Sequence, residues 1–235
     1  MSLLPFGVLA AHKPRRFVPA QLDFGDWSKI EPLFGQLEVR VGQCQSAGEL
    51  EQWLMAWAEL NAALDEEASR RYIAMTCHTD SPEAEKAYLH FVEHIEPQLK
   101  PSQFQLEKLF IAHPQRTRLP SPRYDVFVRE VQNHVELFRE ENVALETEEA
   151  KLGQQYQKLS GSLTVQFRGE EKTLIQMGKF LEEPDRPLRQ EVWELVAKRR
   201  LQERDQFEDQ FDQLVKLREQ IAANAGFKNY RDYAF

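Results

Sequence analysis

Apolar residues recur every three to four positions along most of the chain, and that spacing predicts helices. Leu50, Trp53, Leu54, Trp57, Leu60 and Leu64 mark a helix that starts at Ser46, and Tyr72, Ile73 and Met75 mark a second over about 66–77. Ser81-Pro82-Glu83 opens a third, with Tyr88, Phe91, Val92, Ile95 and Leu99 along one face. Pro97 and Pro101 are expected to kink or end it, with a restart over 104–112. A proline-bounded linker, 114–122, leads to a helix over 123–141 bearing Tyr124, Phe127, Val128, Val131, Val135 and Phe138. After a break at Asn142 another helix follows over 145–159.

The longest helical signal spans 185–226. Asp185 can cap free backbone N–H groups, Pro187 falls in the first turn, and Asn224-Ala225-Gly226 supplies the stop. Leu188, Val192, Leu195 and Val196 form one apolar stripe, and Phe207, Phe211, Leu214, Leu217 and Ile221 a second. The link between them is nearly all charged, so the stretch reads as one helix spanning roughly 60 Å or as two nearly coaxial helices meeting near Glu203. Such stripes need partners.

Two segments break the helical period. Ser162 to Phe167 alternates with period two, Arg168-Gly169-Glu170 can turn, and Lys172-Thr173-Leu174 can return, which predicts a small β-hairpin near 162–174, followed by a helix to about Leu181. The first 47 residues, punctuated by Pro14, Pro19, Pro32, Gly25, Gly35 and Gly42, read as an irregular arm that wraps over something helical, with Asp26 placed to cap a short helix over 27–37. The expected fold class is therefore all-α: the arm over 1–47, then an elongated multi-helix lobe over 48–235 with one long helix or coaxial pair near 185–225 and the hairpin.

Composition narrows the function. A net charge of −8 disfavours a nucleic-acid surface, and no apolar run is long enough to span a membrane, so neither nucleic acid nor membrane is expected as a partner. Cys44 and Cys77 form no framework or metal-type pair, which points to a reducing compartment, the cytoplasm. The apolar stretch 3–11 lacks a basic start and is not read as a signal peptide.

The most specific chemical motif is His90-Phe91-Val92-Glu93-His94, which matches the inverted zinc-protease pattern H-x-x-E-H, with Glu171 as an example of a third ligand. The apolar face of Tyr88, Phe91, Val92 and Ile95 turns the two histidines toward solvent, so the preferred reading is a pair of exposed histidines. Lys198, Arg199, Arg200 and Arg204 could meet a peptide carboxylate but read better as a solvated or acid-paired helix face. Trp53 and Trp57 read as core. Cys77 beside His78 reads as a packed thiol, because adjacent helical residues point in different directions.

Several stretches resemble the N-terminal half of the oligoendopeptidase F family, within the thimet-oligopeptidase-like zinc metallopeptidases. They are Pro14-Arg15-Arg16-Phe17-Val18-Pro19, Arg70-Arg71-Tyr72-Ile73-Ala74-Met75-Thr76-Cys77 and Glu136-Leu137-Phe138-Arg139-Glu140-Glu141-Asn142. Three more are Leu181-Glu182-Glu183-Pro184-Asp185-Arg186, Arg199-Arg200-Leu201-Gln202-Glu203-Arg204-Asp205, and Ile221 to Tyr233 around Asn224-Ala225-Gly226-Phe227. The resemblance covers nearly the whole chain beyond the first dozen residues. It implies a mostly helical enzyme with a deep channel for short peptides. In that family an H-E-x-x-H helix and a downstream glutamate hold zinc, which activates the attacking water.

All of those groups lie beyond the position matching Phe235. No catalytic residue and no metal ligand is therefore assigned to this chain. The expectation is an N-terminal lobe that walls one side of the channel, needs the missing C-terminal catalytic half as partner, binds no zinc alone and cleaves nothing alone. The alternatives are a stand-alone zinc protease using His90, Glu93 and His94, or a helical interaction module with no enzymatic role.

Overall fold

The computed structural model describes residues 14–235. The reading of 3–11 lies outside the described residues. The fold is all-α with one two-stranded antiparallel hairpin.

Asp26 caps α1 (Trp27–Val41) by accepting from the Ser28 N–H. The stretch expected to be an irregular arm thus contains a fifteen-residue helix that runs past Leu37 and straight through Pro32 and Gly35. Burial outweighs the two breakers. Ile30, Leu33, Phe34, Leu37 and Val41 all face the core, and Trp27 stacks on Phe34 at 5.9 Å.

Ser46 and Glu49 form a reciprocal capping box at the start of α2 (Ala47–Cys77). The two helices expected over 46–77 are this single helix of 31 residues, the longest among the described residues. Nothing between Leu64 and Glu66 stops it, and Glu66–Arg70 and Glu67–Arg71 pairs at i, i+4 carry it on. Trp53 and Trp57 are core, as read. Their rings lie 5.2 Å apart, Phe110 packs against both, and Trp53 Nε1 donates to the Leu37 carbonyl at 2.8 Å.

Ser81 caps α3 (Pro82–His90), which passes through a π-helical turn, Phe91–Ile95, into α4 (Glu96–Ala112). The chain neither ends nor restarts between Pro97 and Phe104. Pro97 falls in the first turn of α4, and the wider turn just before it relieves the clash its ring would make with the Glu93 carbonyl in regular α geometry. A short 3₁₀ turn, Pro114–Arg118, leads to α5 (Asp125–Leu137). Helices α1, α2, α4 and α5 enclose the main core.

The next break is at Phe138–Arg139 and not at Asn142, because α6 (Glu140–Ser162) already includes Asn142, which is 1% exposed. After α6 come β1 (Thr164–Phe167) and β2 (Glu170–Thr173), with Val165 opposite Lys172. Arg168 and Gly169 both take positive φ in the two-residue turn. Thr173 caps the single-turn α7 (Leu174–Met177), extended by a 3₁₀ turn to Leu181. Then α8 (Arg186–Gln202) lays Val192, flanked by Leu188, Leu195 and Val196, on Val165, Phe167 and Met177 as a second, smaller core.

A one-residue break at Glu203 separates α8 from α9 (Arg204–Asn224), so the 185–226 signal is two helices. Helix α9 packs along α6 and closes on Gly226, whose positive φ lets the Phe227 N–H reach the Ala222 carbonyl at 2.9 Å and the Gly226 N–H the Ala223 carbonyl at 3.0 Å. A last turn, α10 (Tyr230–Ala234), packs back on α9.

Candidate functional site

Three side chains of the H-x-x-E-H motif sit where α3 widens into the π turn. Phe91, Val92 and Ile95 are buried, while His90, Glu93 and His94 are exposed. The two imidazoles lie 5.0 Å apart, centroid to centroid. Each motif residue that could ligate is engaged or unsupported. His90 Nε2 is 2.8 Å from the Gly25 carbonyl, which can only accept, so that nitrogen carries the proton. Glu93 pairs with Lys151 of α6 at 3.1 Å. Glu171, on β2, accepts from Thr164 Oγ1 at 2.6 Å. Among the described residues no three His, Cys, Asp or Glu side chains converge to hold a metal ion.

The basic run divides. Arg199 pairs with Glu203 at 2.9 Å and Arg204 with Glu208 at 2.7 Å, each at i, i+4. Lys198 and Arg200 make no ion pair among the described residues. Cys77 corrects the expectation of a packed thiol, since it is exposed at the last turn of α2.

Of the stretches that carried the family resemblance, one lies on α2 and two meet each other. Residues 14–19 lie on α2, where the Glu59 carboxylate accepts the backbone N–H groups of Arg16, Phe17 and Val18 at 2.7–3.0 Å and Arg15 reaches Glu66 at 3.0 Å. Burial acts to raise the Glu59 carboxyl, but the three amides and Arg15 together hold it below the usual carboxylate range. At the other end, 136–142 meets 221–226. Arg139 donates to the Asn224 and Ala225 carbonyls, Asn142 Nδ2 donates to the Ile221 carbonyl at 3.1 Å, and Asn224 Nδ2 donates to Asn142 Oδ1 at 2.7 Å. These contacts satisfy the C-terminal carbonyls of α9 and fix it against α6.

Two mainly apolar grooves open on the α7–α9 side, beside a more polar one between the hairpin and α8, and the sequence reading assigned none of them. One, about 780 Å³, lies between α6 and α9, where Tyr156, Phe207, Phe211 and Leu214 line it with Arg200 and Gln210. The other, about 370 Å³, lies between α7 and α8, bounded by Ile175, Leu181, Trp193 and again Arg200. Phe207, Phe211 and Leu214 formed an apolar stripe in the sequence, yet the fold leaves Phe211 62% exposed and Trp193 64% exposed. The signal that could have found them was already there. The stripe of α9 faces more surface than α6 alone covers.

With this geometry in view, likeness to known proteins can be weighed. Residues 17–138 match the family model described as the peptidase M3 N-terminal domain. The chain belongs to this family. Its solved relatives extend the M3 likeness beyond α5. PZ peptidase A, in a structure with an inhibitor, superposes with a TM-score of 0.83 at 25% identity over 93% of this chain. A protein assigned as oligoendopeptidase F from Bacillus anthracis str. Ames gives 0.83 at 21% identity over 91%, and a second oligoendopeptidase F assignment gives 0.80 at 23% over 94%. This M3 chain spans 39% of the length of each of those three. No curated protein sequence matches it. Among the described residues no helix is long and apolar enough to cross a membrane.

Proposed function

We propose that this chain is the N-terminal lobe of a zinc-dependent oligoendopeptidase that hydrolyses short peptides, and that it forms one wall of the substrate channel. One observation carries the reading. The M3 likeness runs through nearly all of the chain, yet occupies 39% of each solved relative. The catalytic half is then supplied by polypeptide outside these 235 residues. Zinc would be held there, lowering the pKa of a bound water and polarising the scissile carbonyl. This lobe contributes shape, since a helical wall limits access to short unfolded peptides. Two free cysteines and no disulfide among the described residues fit a cytoplasmic setting.

The test is a fusion of this chain to the part of PZ peptidase A that it does not match. The expected result is hydrolysis of a quenched fluorogenic peptide of about ten residues, abolished by 1,10-phenanthroline and restored by zinc, while the 235-residue chain alone is inactive. Zinc-dependent hydrolysis by the chain alone, or none by a folded fusion, would contradict the proposal.

A further inference from the structure

Exposed large apolar side chains are unevenly distributed. Over the first half Val39, Met55 and Val126 lie singly and Tyr72 and Ile73 are neighbours on α2, an ordinary degree of exposure. On the α7–α9 side they gather. Ile175 is 89% exposed, and Trp193 and Phe211 each present most of their ring to solvent. Arg200 lines both grooves there, so the two share a border at that side chain.

The chemistry of this face is that of an interface centre. Trp, Tyr, Phe and an unpaired Arg are the residue types that dominate binding energy when a partner excludes water from them. Gln210, 8% exposed, also lines the α6–α9 groove.

We infer that this surface docks the second lobe of the peptidase, the polypeptide matching the 61% of PZ peptidase A left over when this chain covers 39%. The inference rests on the proposed function and names the contact it requires. Several features favour this occupant. In the relatives that remainder must pack against the matched portion somewhere, and Ile175, Leu181, Trp193, Leu201, Phe211 and Val215 leave an apolar face uncovered here. Trp193 and Phe211 stand out from the helices as knobs, which suit the holes of a folded surface better than an extended peptide. Glu208 and Asp212 on the rim ask for basic groups opposite, whereas a second copy of this chain, also at −8, would bring its own acids.

The experiment titrates the purified 235-residue chain against the unmatched part of PZ peptidase A, produced as a separate polypeptide. Wild type is expected to bind, with amide exchange slowed over 174–214. Trp193→Asp with Phe211→Asp is expected to weaken binding by about 30-fold or more, and Arg200→Glu alone by about tenfold. Ile73→Asp, at an exposed apolar site on α2, is expected to change it by about twofold at most. All four altered residues are exposed, so melting temperature should barely move, and a circular dichroism melt checks that each variant folds.

Absence of binding, protection confined to another face, or equal affinity of the double variant would overturn the inference. So would a dimer of this chain that the double variant dissolves, or a short peptide that alone protects 174–214. An active fusion whose rate is indifferent to these substitutions would leave the proposed function standing and remove the docking surface. Docking that depends on Trp193 and Phe211 in an inactive fusion would do the reverse.

Discussion

Glu59 shows how much a single side chain organises. One carboxylate gathers three successive backbone amides and so fixes residues 16–18 on α2. Replacing it with Gln removes the charge that all three amides share and is expected to cost about 1–2 kcal/mol, less than for a fully buried acceptor because water reaches the site. The pH dependence has a definite sign. The folded-state pKa lies below the unfolded value of about 4.3, so the contribution is complete above that value and is lost as pH falls through the lowered one. Acid unfolding of the wild type and of Glu59→Gln, followed by circular dichroism, should converge at low pH.

His134 on α5 runs the other way. Its hydrogen bond to Glu107 of α4 raises its pKa, burial opposes this, and the Glu107 and Glu146 charges add to the rise. A raised folded pKa means that the stabilisation is full below the unfolded value of about 6.5 and fades as pH climbs through the raised one. His134→Gln should therefore destabilise the chain at pH 5.5 and approach wild type at pH 9, in matched thermal melts.

At the scale of elements, the ends of helices carry the sharpest tests. Gly226 takes positive φ with no heavy atom within 4 Å of where a Cβ would stand, so Gly226→Ala tests conformation alone. It is expected to cost about 1 kcal/mol by chemical denaturation. Asn142→Ala, which strips the donor from the Ile221 carbonyl and the acceptor from Asn224, should cost about 2 kcal/mol.

The same elements show what was legible in the sequence. Helix starts at Ser46, Ser81 and Asp185, the stop at Gly226 and the hairpin turn at Arg168-Gly169 follow from local chemistry and could be read. Helix α1 through Pro32, the unbroken α2 and the π turn before Pro97 could not. In α1 packing against the core outweighs Pro32, in α2 no local stop ends the helix and i, i+4 ion pairs carry it on, and before Pro97 the wider turn accommodates the ring. Asn142 misled for a related reason. Asparagine favours breaks in isolation, but here its amide is satisfied by a helix 79 residues away.

On the scale of the whole molecule, the grooves were invisible to a linear reading because each forms only where separate elements pack side by side, α6 with α9 for one and α7 with α8 for the other, Arg200 lining both. The H-x-x-E-H spacing was visible, and the fold gives it a surface on which His90 donates to Gly25 and Glu93 pairs with Lys151. A motif of three fixed positions says nothing about the shell that would have to support a metal. The peptidase M3 relationship, by contrast, was legible in several stretches at once, two of which, 136–142 and 221–226, clasp each other at the end of α9.

The most direct measurement is zinc stoichiometry by elemental analysis, after dialysis against a weak chelator, on the 235-residue chain and on its fusion to the unmatched part of PZ peptidase A. The expected result is no bound zinc on the chain and about one per molecule on the fusion, unchanged by His90→Ala with His94→Ala. One tightly held zinc on the chain alone, lost when those two histidines are replaced, would contradict it and make this chain a metal enzyme in its own right.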